Sequence, residues 1–443
     1  MRPRRVIVAG AGLAGSLLAI LLGRQGHEVV VVERRPDPRE GPAEGGRSIN
    51  LAISTRGLWA LGRAGLAESV LERAVPMRGR MLHARDGRTR FVPYGIRPDE
   101  CIHSVSRAGL NRLLVEHAGR IPGVGFRFSC KVVDVDLDAP ALVCEDDAGG
   151  TGRVAGDLLV GADGAFSRVR RAMARRPRFD VSQAWLAHGY RELTIPPAEG
   201  GGFRLEPNAL HIWPRGEQMM IALPNHDGSF TATLFWPFEG PLSFDAAGTD
   251  AASIRARFER DYPDAVPHLT RLVEEFRENP IGSLVTIRCG PWHHRDRVVL
   301  VGDACHAVVP FYGQGANAAF ESAGVLADLF ARHDEPGEVF ARYTQARKRH
   351  ADALADLALA NFDEMRDRVR SPLFLLEKKL GTLAHRLFGR AFLPLYTMVT
   401  FTRIPYADAV ARARRQARLV RRAAAAAVVL LLAAGAWAVF GIR

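Results

Sequence analysis

The chain has 443 residues, 47% apolar and 24% charged, with 43 glycines and five cysteines. That length and balance exclude a disordered, collagen-like or coiled-coil chain and leave material for two or three domains. The net charge is +12, but six arginines fall between Arg412 and Arg422 and a seventh is Arg443; without these seven the remainder carries +5, and no basic stretch interleaved with aromatics points to nucleic acid.

The N-terminal apolar run, Val6–Gly10, is too short for a signal peptide and reads as a strand. Arg5–Gly10 is that strand, a helix runs from about Ser16 to Gln25, and Glu28–Glu33 (EVVVVE) is a second strand. Gly10, Gly12 and Gly15 between them form GxGxxG, with Leu13 and Ala14 inside it. Such glycines permit a tight turn and close approach of a pyrophosphate to a helix N-terminus. Glu33 closes the second strand, 18 residues after Gly15. It would accept hydrogen bonds from an adenosine ribose, with Arg34 beside it in the same region. The unit predicts a bound dinucleotide, FAD or a nicotinamide cofactor. The five cysteines (Cys101, Cys130, Cys144, Cys289, Cys305) show no CxxC and no regular spacing, which argues for a reducing compartment over a disulfide framework.

A further strand begins near Asp157 and ends in Gly-Ala-Asp163-Gly164 before an arginine-rich helix start. The pattern then changes period. Ala209–Pro214, Met219–Pro224 and Ser229–Phe238 are β-rich runs separated by turn residues, which predicts an antiparallel sheet. Val298–Asp303 is another buried strand, ending in Gly302-Asp303. Asp303 stands where parallel-sheet folds bind ligands and suits ribityl hydroxyls, although alone it also fits a helix N-cap. Gly313–Asn317, which includes Gly315, Ala316 and Asn317, presents backbone N–H groups at a helix start. These suit a pyrophosphate or the polar edge of a flavin ring. The two later motifs decide for FAD. His293, His294 and His306 lack a matching ligand set, so no metal site is expected. From Pro336 to Arg422 the chain reads as mostly helical. Residues 423–442 are twenty uncharged residues in a row, about the length that spans a bilayer. The arginines before them match positive-inside anchoring, with the catalytic part on the cytoplasmic side.

The expected fold is α/β: a Rossmann-like FAD-binding domain, an antiparallel-sheet substrate domain, a helical C-terminal region and a C-terminal hydrophobic helix. The expected boundaries are 1–75, 101–180 and 281–335 for the FAD-binding domain and 76–100 and 181–280 for the substrate domain. The helical region is 336–422, and the membrane-anchoring helix is 423–442.

Three strings, GAGLAG (10–15), GADGAFSRVR (161–170) and VGDACHAVVPFYGQGANAAFE (301–321), resemble the aromatic-hydroxylating flavin monooxygenases. GRSINLAIS (46–54), MRGRMLH (77–83), LHIWPRGEQMMIALPNHDGSFTATLF (210–235), NFDEMR (361–366) and LPLYTMVTFTRIPYADAV (393–410) narrow the resemblance to the kynurenine 3-monooxygenases. The resemblance implies FAD as bound cofactor, NADPH as transient reductant and O2 as oxygen source. It implies hydroxylation of L-kynurenine to 3-hydroxykynurenine through a flavin hydroperoxide, so that the flavin carries the chemistry and no nucleophilic triad is expected. It carries over Arg80 for the substrate carboxylate, with Tyr94, Asn361 and Tyr396 as hydrogen-bonding partners. Glu364, three residues after Asn361 on one helical face, is assigned to the amino group. Leu210, Ile212, Ile221, Phe235, Pro310, Phe311 and Tyr312 match the pocket around the ring. Arg107, Asp303, Ala316 and Asn317 match flavin-contact positions, and Asp163, Gly302 and Gly315 of the same motifs are read as cofactor-binding with them. Membrane lipid is the further partner implied for the tail. The sequence departs from the family pattern at Cys305 and Ala316, where alanine and methionine are usual, and at Tyr312 and Ala319. The competing readings are a related hydroxylase of another aromatic or quinone-type ring, for which Arg80 would have no use, and a non-catalytic membrane-tethered flavoprotein.

Overall fold

The computed structural model describes residues 2–40, 50–95, 97, 99–366, 385 and 389–440, with 363–366, 390, 424, 427, 428 and 431–440 as backbone. Residues 46–49 of the GRSINLAIS motif, 367–384 and 386–388 of the expected helical region and 441–442 of the expected tail lie outside the described residues.

Val6, Ile7 and Val8 are fully buried, as expected for a β-branched strand covered on both faces. That strand, Arg5–Ala9, pairs in parallel with Glu28–Val32 on one side and Leu158–Gly161 on the other. Val298–Leu300 adds to the second edge and Val124–Arg127 to the first, both parallel. The short strand His293–His294 closes the sheet antiparallel. Parallel pairing points every carboxyl end the same way, so the turns after Ala9, Gly161 and Leu300 open on one side. The helix Leu13–Gly23 is buried from Ala14 onward and packs against the sheet. Two glycines make its entry tight. Gly10 has φ +100°, and a Cβ there would lie 2.6 Å from the Ala162 carbonyl oxygen. A Cβ on Gly15 would lie 2.0 Å from the Gly10 carbonyl oxygen.

The second sheet is wider than the three β-rich runs. Ala209–Arg215, Gln218–Pro224 and Phe230–Pro237 are its antiparallel centre. The long strand Asp180–Ile195 pairs with Phe230–Pro237 on one edge and with Gly282–Gly290 beyond it. On the other side Gly79–His83 joins Ala209–Arg215 in parallel and Thr89–Pro93 pairs outside it. Gly282–Gly290 therefore belongs to this sheet, although the boundary expected at 281 places it with the first. Side-chain alternation divides the sheet's faces. Trp213, Phe230 and Trp236 pack with Phe258, Tyr262 and Phe276 of the helices Ala251–Asp261 and Leu272–Glu278. Leu210, Ile212, Ile221 and Phe235 face the other way, toward Phe311 and Tyr312. The helix Gly315–Phe330 packs against Leu13–Gly23 and Thr55–Arg63, and Pro336–Arg366 packs outside it.

The tail differs from the expectation of a separate hydrophobic helix at 423–442. Tyr406–Phe440 is one helix of 35 residues, continuous through the arginine cluster. Alanine and arginine are both strong helix formers, so nothing in the sequence breaks it at Arg422. Among the described residues no helix is long and apolar enough to cross a membrane.

Gly15→Ala forces the backbone apart at the start of the buried helix. The expected outcome is a loss of at least about 3 kcal/mol in urea or thermal unfolding, the upper range for overpacking. Parental stability of that variant would contradict the contact.

Candidate active site

A cavity of about 310 Å³ opens between the two sheets. One end is built from element starts. Gly12, Leu13 and Ala14 begin one helix, and Gly315 and Ala316 begin another. Arg107 begins the helix Arg107–Ala118, and Asp303 the short turn Asp303–His306. Neither Leu13–Gly23 nor Gly315–Phe330 has a side-chain cap, so their first N–H groups are free for an anion. Gly12 is informative because it has no internal need to be glycine. Its φ is −72°, and a Cβ there would meet nothing within 4 Å. The space beside it is cavity. Burial pushes the Asp303 carboxyl up, while the positive Arg107 nearby acts in the opposite direction.

Glu33 lies behind this end, 7% exposed. It accepts from the Ala11 N–H at 2.9 Å and from Arg35 Nε at 2.9 Å. Burial would raise its carboxyl, but the Arg35 and Ala11 hydrogen bonds outweigh it and hold the group below the usual carboxylate range. It is thus an anion at the end of the second strand, where a ribose would be held. These features fit an FAD: free helix N-termini for the pyrophosphate, a glycine open to the cavity, and acids at both sugar positions.

The other end carries Arg80, Tyr94 and Tyr396. Arg80 stands on Gly79–His83, with its guanidinium carbon 5.5 Å from the Tyr94 ring centre and 5.1 Å from that of Tyr396. The two rings stack at 5.3 Å and 15°. Among the described residues no carboxylate lies within salt-bridge distance of Arg80. Burial works against its charge, but the oxygens of Tyr396 and Tyr94 outweigh it and raise its pKa. Burial pushes both phenols up, so they stay neutral donors. The Tyr94 hydroxyl is buried and makes no hydrogen bond of ordinary geometry. A buried hydroxyl without a partner of ordinary geometry, beside a guanidinium that meets no acid among the described residues, fits a carboxylate ligand. Between the two ends Leu210, Ile212, Ile221, Phe235, Pro310, Phe311 and Tyr312 form an apolar wall. The Phe235 and Phe311 rings lie 5.1 Å apart.

Several expected site residues stand back from the cavity. Gly10 and Gly15 serve the turn. Gly302, at φ +65°, lets the chain pass close to Ala14. Arg34 is exposed. Asp163 Oδ2 accepts from the N–H groups of Arg168 (2.6 Å) and Val169 (3.2 Å), so it caps the helix Arg168–Met173. The Asn317 amide is taken up internally, by the Ser54 N–H and the Ala52 and Gly313 carbonyls. Asn361 donates to the Phe311 carbonyl at 2.7 Å and so braces the wall. Glu364 lies in the backbone of the last turn of Pro336–Arg366, and its side chain is outside the described residues. The sequence reading missed Met77, Ile102 and Met219, all of which line the cavity. Met219 is two residues before Ile221, and strand alternation marks it. Met77 and Ile102 meet as register partners of a small three-stranded sheet, and no local pattern announces that pairing.

Residues 4–358 match the model of the FAD binding domain family. The chain is 49% identical to the kynurenine 3-monooxygenase of Salinispora arenicola, over 95% of this chain and 93% of that protein. It is 46% identical to that of Myxococcus xanthus (91% and 87% covered) and 42% identical to that of Anopheles gambiae (93% and 84%). Among solved structures the fold resembles 2-methyl-3-hydroxypyridine-5-carboxylic acid oxygenase, with a TM-score of 0.68 at 22% identity, over 85% of this chain and 96% of that one. PqsL of Pseudomonas aeruginosa gives 0.63 at 24%, over 83% and 98%. With identity and coverage of this order, the chain belongs to the kynurenine 3-monooxygenase family.

Proposed function

We propose that the protein hydroxylates L-kynurenine: L-kynurenine, NADPH, a proton and O2 give 3-hydroxykynurenine, NADP+ and water. The observation that carries this reading is the polarity of one cavity, with an FAD-fitting end at one side and, at the other, a guanidinium that meets no carboxylate among the described residues. When bound, FAD would supply the redox and oxygen-transfer chemistry, with NADPH as the electron source. Gly12, Gly315 and their helix N-termini would hold its pyrophosphate and ring edge, and Glu33 and Asp303 would take sugar and ribityl hydroxyls. Arg80 binds the substrate carboxylate, with hydroxyl donors from Tyr94 and Tyr396. The apolar wall packs the ring and excludes water, which protects the oxygen transfer from side reactions. Asn361 keeps that wall in place, and Glu364 serves the amino group. A quinone-type ring without a carboxylate would leave Arg80 and the Tyr94 hydroxyl unpaired. The test is NADPH oxidation by purified, FAD-loaded protein with and without L-kynurenine, with analysis of the product. Strong stimulation and 3-hydroxykynurenine are expected; oxidation indifferent to kynurenine contradicts the reading.

We further propose that the uncharged run 423–442 behind the six arginines brings the protein to a membrane surface, with the catalytic part on the cytoplasmic side. Each arginine adds about 1 kcal/mol of attraction to anionic lipid. A chain ending at Arg422 is expected to retain turnover and to leave the membrane pellet for the supernatant. Full-length protein found wholly in the supernatant at physiological salt contradicts the anchor.

Arg80→Met is expected to weaken kynurenine binding by about tenfold or more, since a hydrogen bond to a charged group contributes about 1.5–3 kcal/mol. Its flavin content should match the parent, and an unchanged KM for kynurenine would remove Arg80 from the site. Gly12→Ala puts a methyl group into the cradle without an internal clash. It should weaken FAD binding, read by flavin titration, while the unfolding midpoint of the flavin-free protein stays at the parental value. Parental FAD affinity would place the pyrophosphate elsewhere.

A further inference from the structure

Behind the carboxylate end, three helices and the segment carrying Tyr396 meet at a buried charge cluster. Arg56 comes from Thr55–Arg63, Glu321 from Gly315–Phe330 and Arg347 from Pro336–Arg366. Arg56 is fully buried, and Glu321 and Arg347 are 3% and 5% exposed. Glu321 receives both arginines, Arg56 Nη1 on Oε1 at 2.9 Å and Arg347 Nη1 on Oε2 at 2.6 Å. Arg347 also donates to the Ala318 carbonyl and the Ser322 hydroxyl, on the same helix as Glu321. Burial alone would raise the Glu321 carboxyl, but the two guanidinium groups hold it below the usual range.

Arg56 turns its other N–H groups the opposite way. Nε donates to the Val399 carbonyl at 3.2 Å, and Nη2 donates to the Ile404 carbonyl. Its guanidinium lies 4.1 Å over the Tyr406 ring, and the Tyr406 hydroxyl donates to Gln314 at 3.2 Å. One side chain thus ties the helix that starts at the FAD end to both sides of the turn that follows Tyr396. The helix holding Tyr396, Leu395–Thr400, has only six residues, too few to be stable alone. The Val399 carbonyl is one of its orphaned end groups, and Arg56 satisfies it.

We propose that Arg56, held by Glu321, is a positioning residue that sets Tyr396 against Arg80 and Tyr94. The proposal rests on the reading of those three residues as a carboxylate clamp. Arg56 does not line the cavity; it acts through the backbone of the segment that carries Tyr396.

The test is a double-mutant cycle of Arg56→Lys and Tyr396→Phe in the FAD-loaded enzyme. It reads kcat and KM for L-kynurenine, KM for NADPH, and flavin content. Lysine keeps the charge but cannot serve Glu321, Val399 and Ile404 at once. Arg56→Lys is expected to raise the kynurenine KM about tenfold and to change kcat less than about twofold, with the NADPH KM and flavin content unaltered. In the Tyr396→Phe background the same change should add less than about twofold, because both act on one contact. A parental KM in Arg56→Lys, or effects that multiply in the double variant, overturns the proposal. If Arg56→Lys does not fold, Glu321→Gln replaces it in the same cycle: a raised kynurenine KM that Tyr396→Phe absorbs supports the proposal, and a parental KM or multiplying effects overturn it. A parent enzyme that ignores kynurenine refutes the clamp itself, whereas an active parent with multiplying effects removes only the role of Arg56.

Discussion

Taking a guanidinium out of water costs several kcal/mol unless a partner restores its interactions. Arg80 stands in a largely apolar cavity with two phenol rings beside it and no carboxylate among the described residues within salt-bridge distance. Three buried arginines are answered by acids: Glu321 meets Arg56 and Arg347, and Asp261 meets Arg257. Among the described residues Arg80 meets ring faces and phenol oxygens and no acid. On the proposed reading that position takes the substrate carboxylate, and the geometry around it keeps the charge in place.

Strand parity keeps it there. Gly79–His83 lies parallel to Ala209–Arg215, with Arg80 opposite Leu210 and Leu82 opposite Ile212. Arg80, Leu210 and Ile212 all line the cavity, while His83, His211 and Trp213 point to the far side. There His83 bonds both Asp264 and His211, at 2.6 and 2.8 Å. The polar network on one face and the apolar wall on the other fix the register, because a one-residue slip would exchange them. At the opposite end, parallel strands gather helix starts around Gly12, Asp303 and Gly315. On the proposed reading, a ring anchored through Arg80 would lie along the apolar wall toward the FAD-fitting end.

Much of this is legible in the sequence where the signal is local. The first β-α-β unit declares itself through Val6–Ala9, GAGLAG and the acid at Glu33, because buried parallel strands are apolar throughout and glycine marks the turn. Alternation shows that Leu210 and Ile212 share a face, and the family resemblance is what marks that face as the pocket wall. What escapes is non-local or spent internally. Gly79–His83 is a short, arginine-bearing strand whose place depends on a partner more than a hundred residues away, and Thr89–Pro93 takes its place only by pairing with Gly79–His83. Asp163 and Asn317 sit in binding motifs, yet their side chains hold backbone groups. The continuity of Tyr406–Phe440 escapes for a different reason: a change from charged to apolar residues alters what a helix faces without ending it.

The central claim is that one guanidinium selects the substrate. The direct measurement compares L-kynurenine with its decarboxylated amine, which keeps the same ring and ketone, as stimulators of NADPH oxidation. It does so in the parent enzyme and in Arg80→Met. The account predicts that the amine is a far poorer stimulator than L-kynurenine in the parent, and that the difference nearly vanishes in Arg80→Met. Equal stimulation by both compounds in the parent, or a preference for the carboxylate that survives in Arg80→Met, would contradict it.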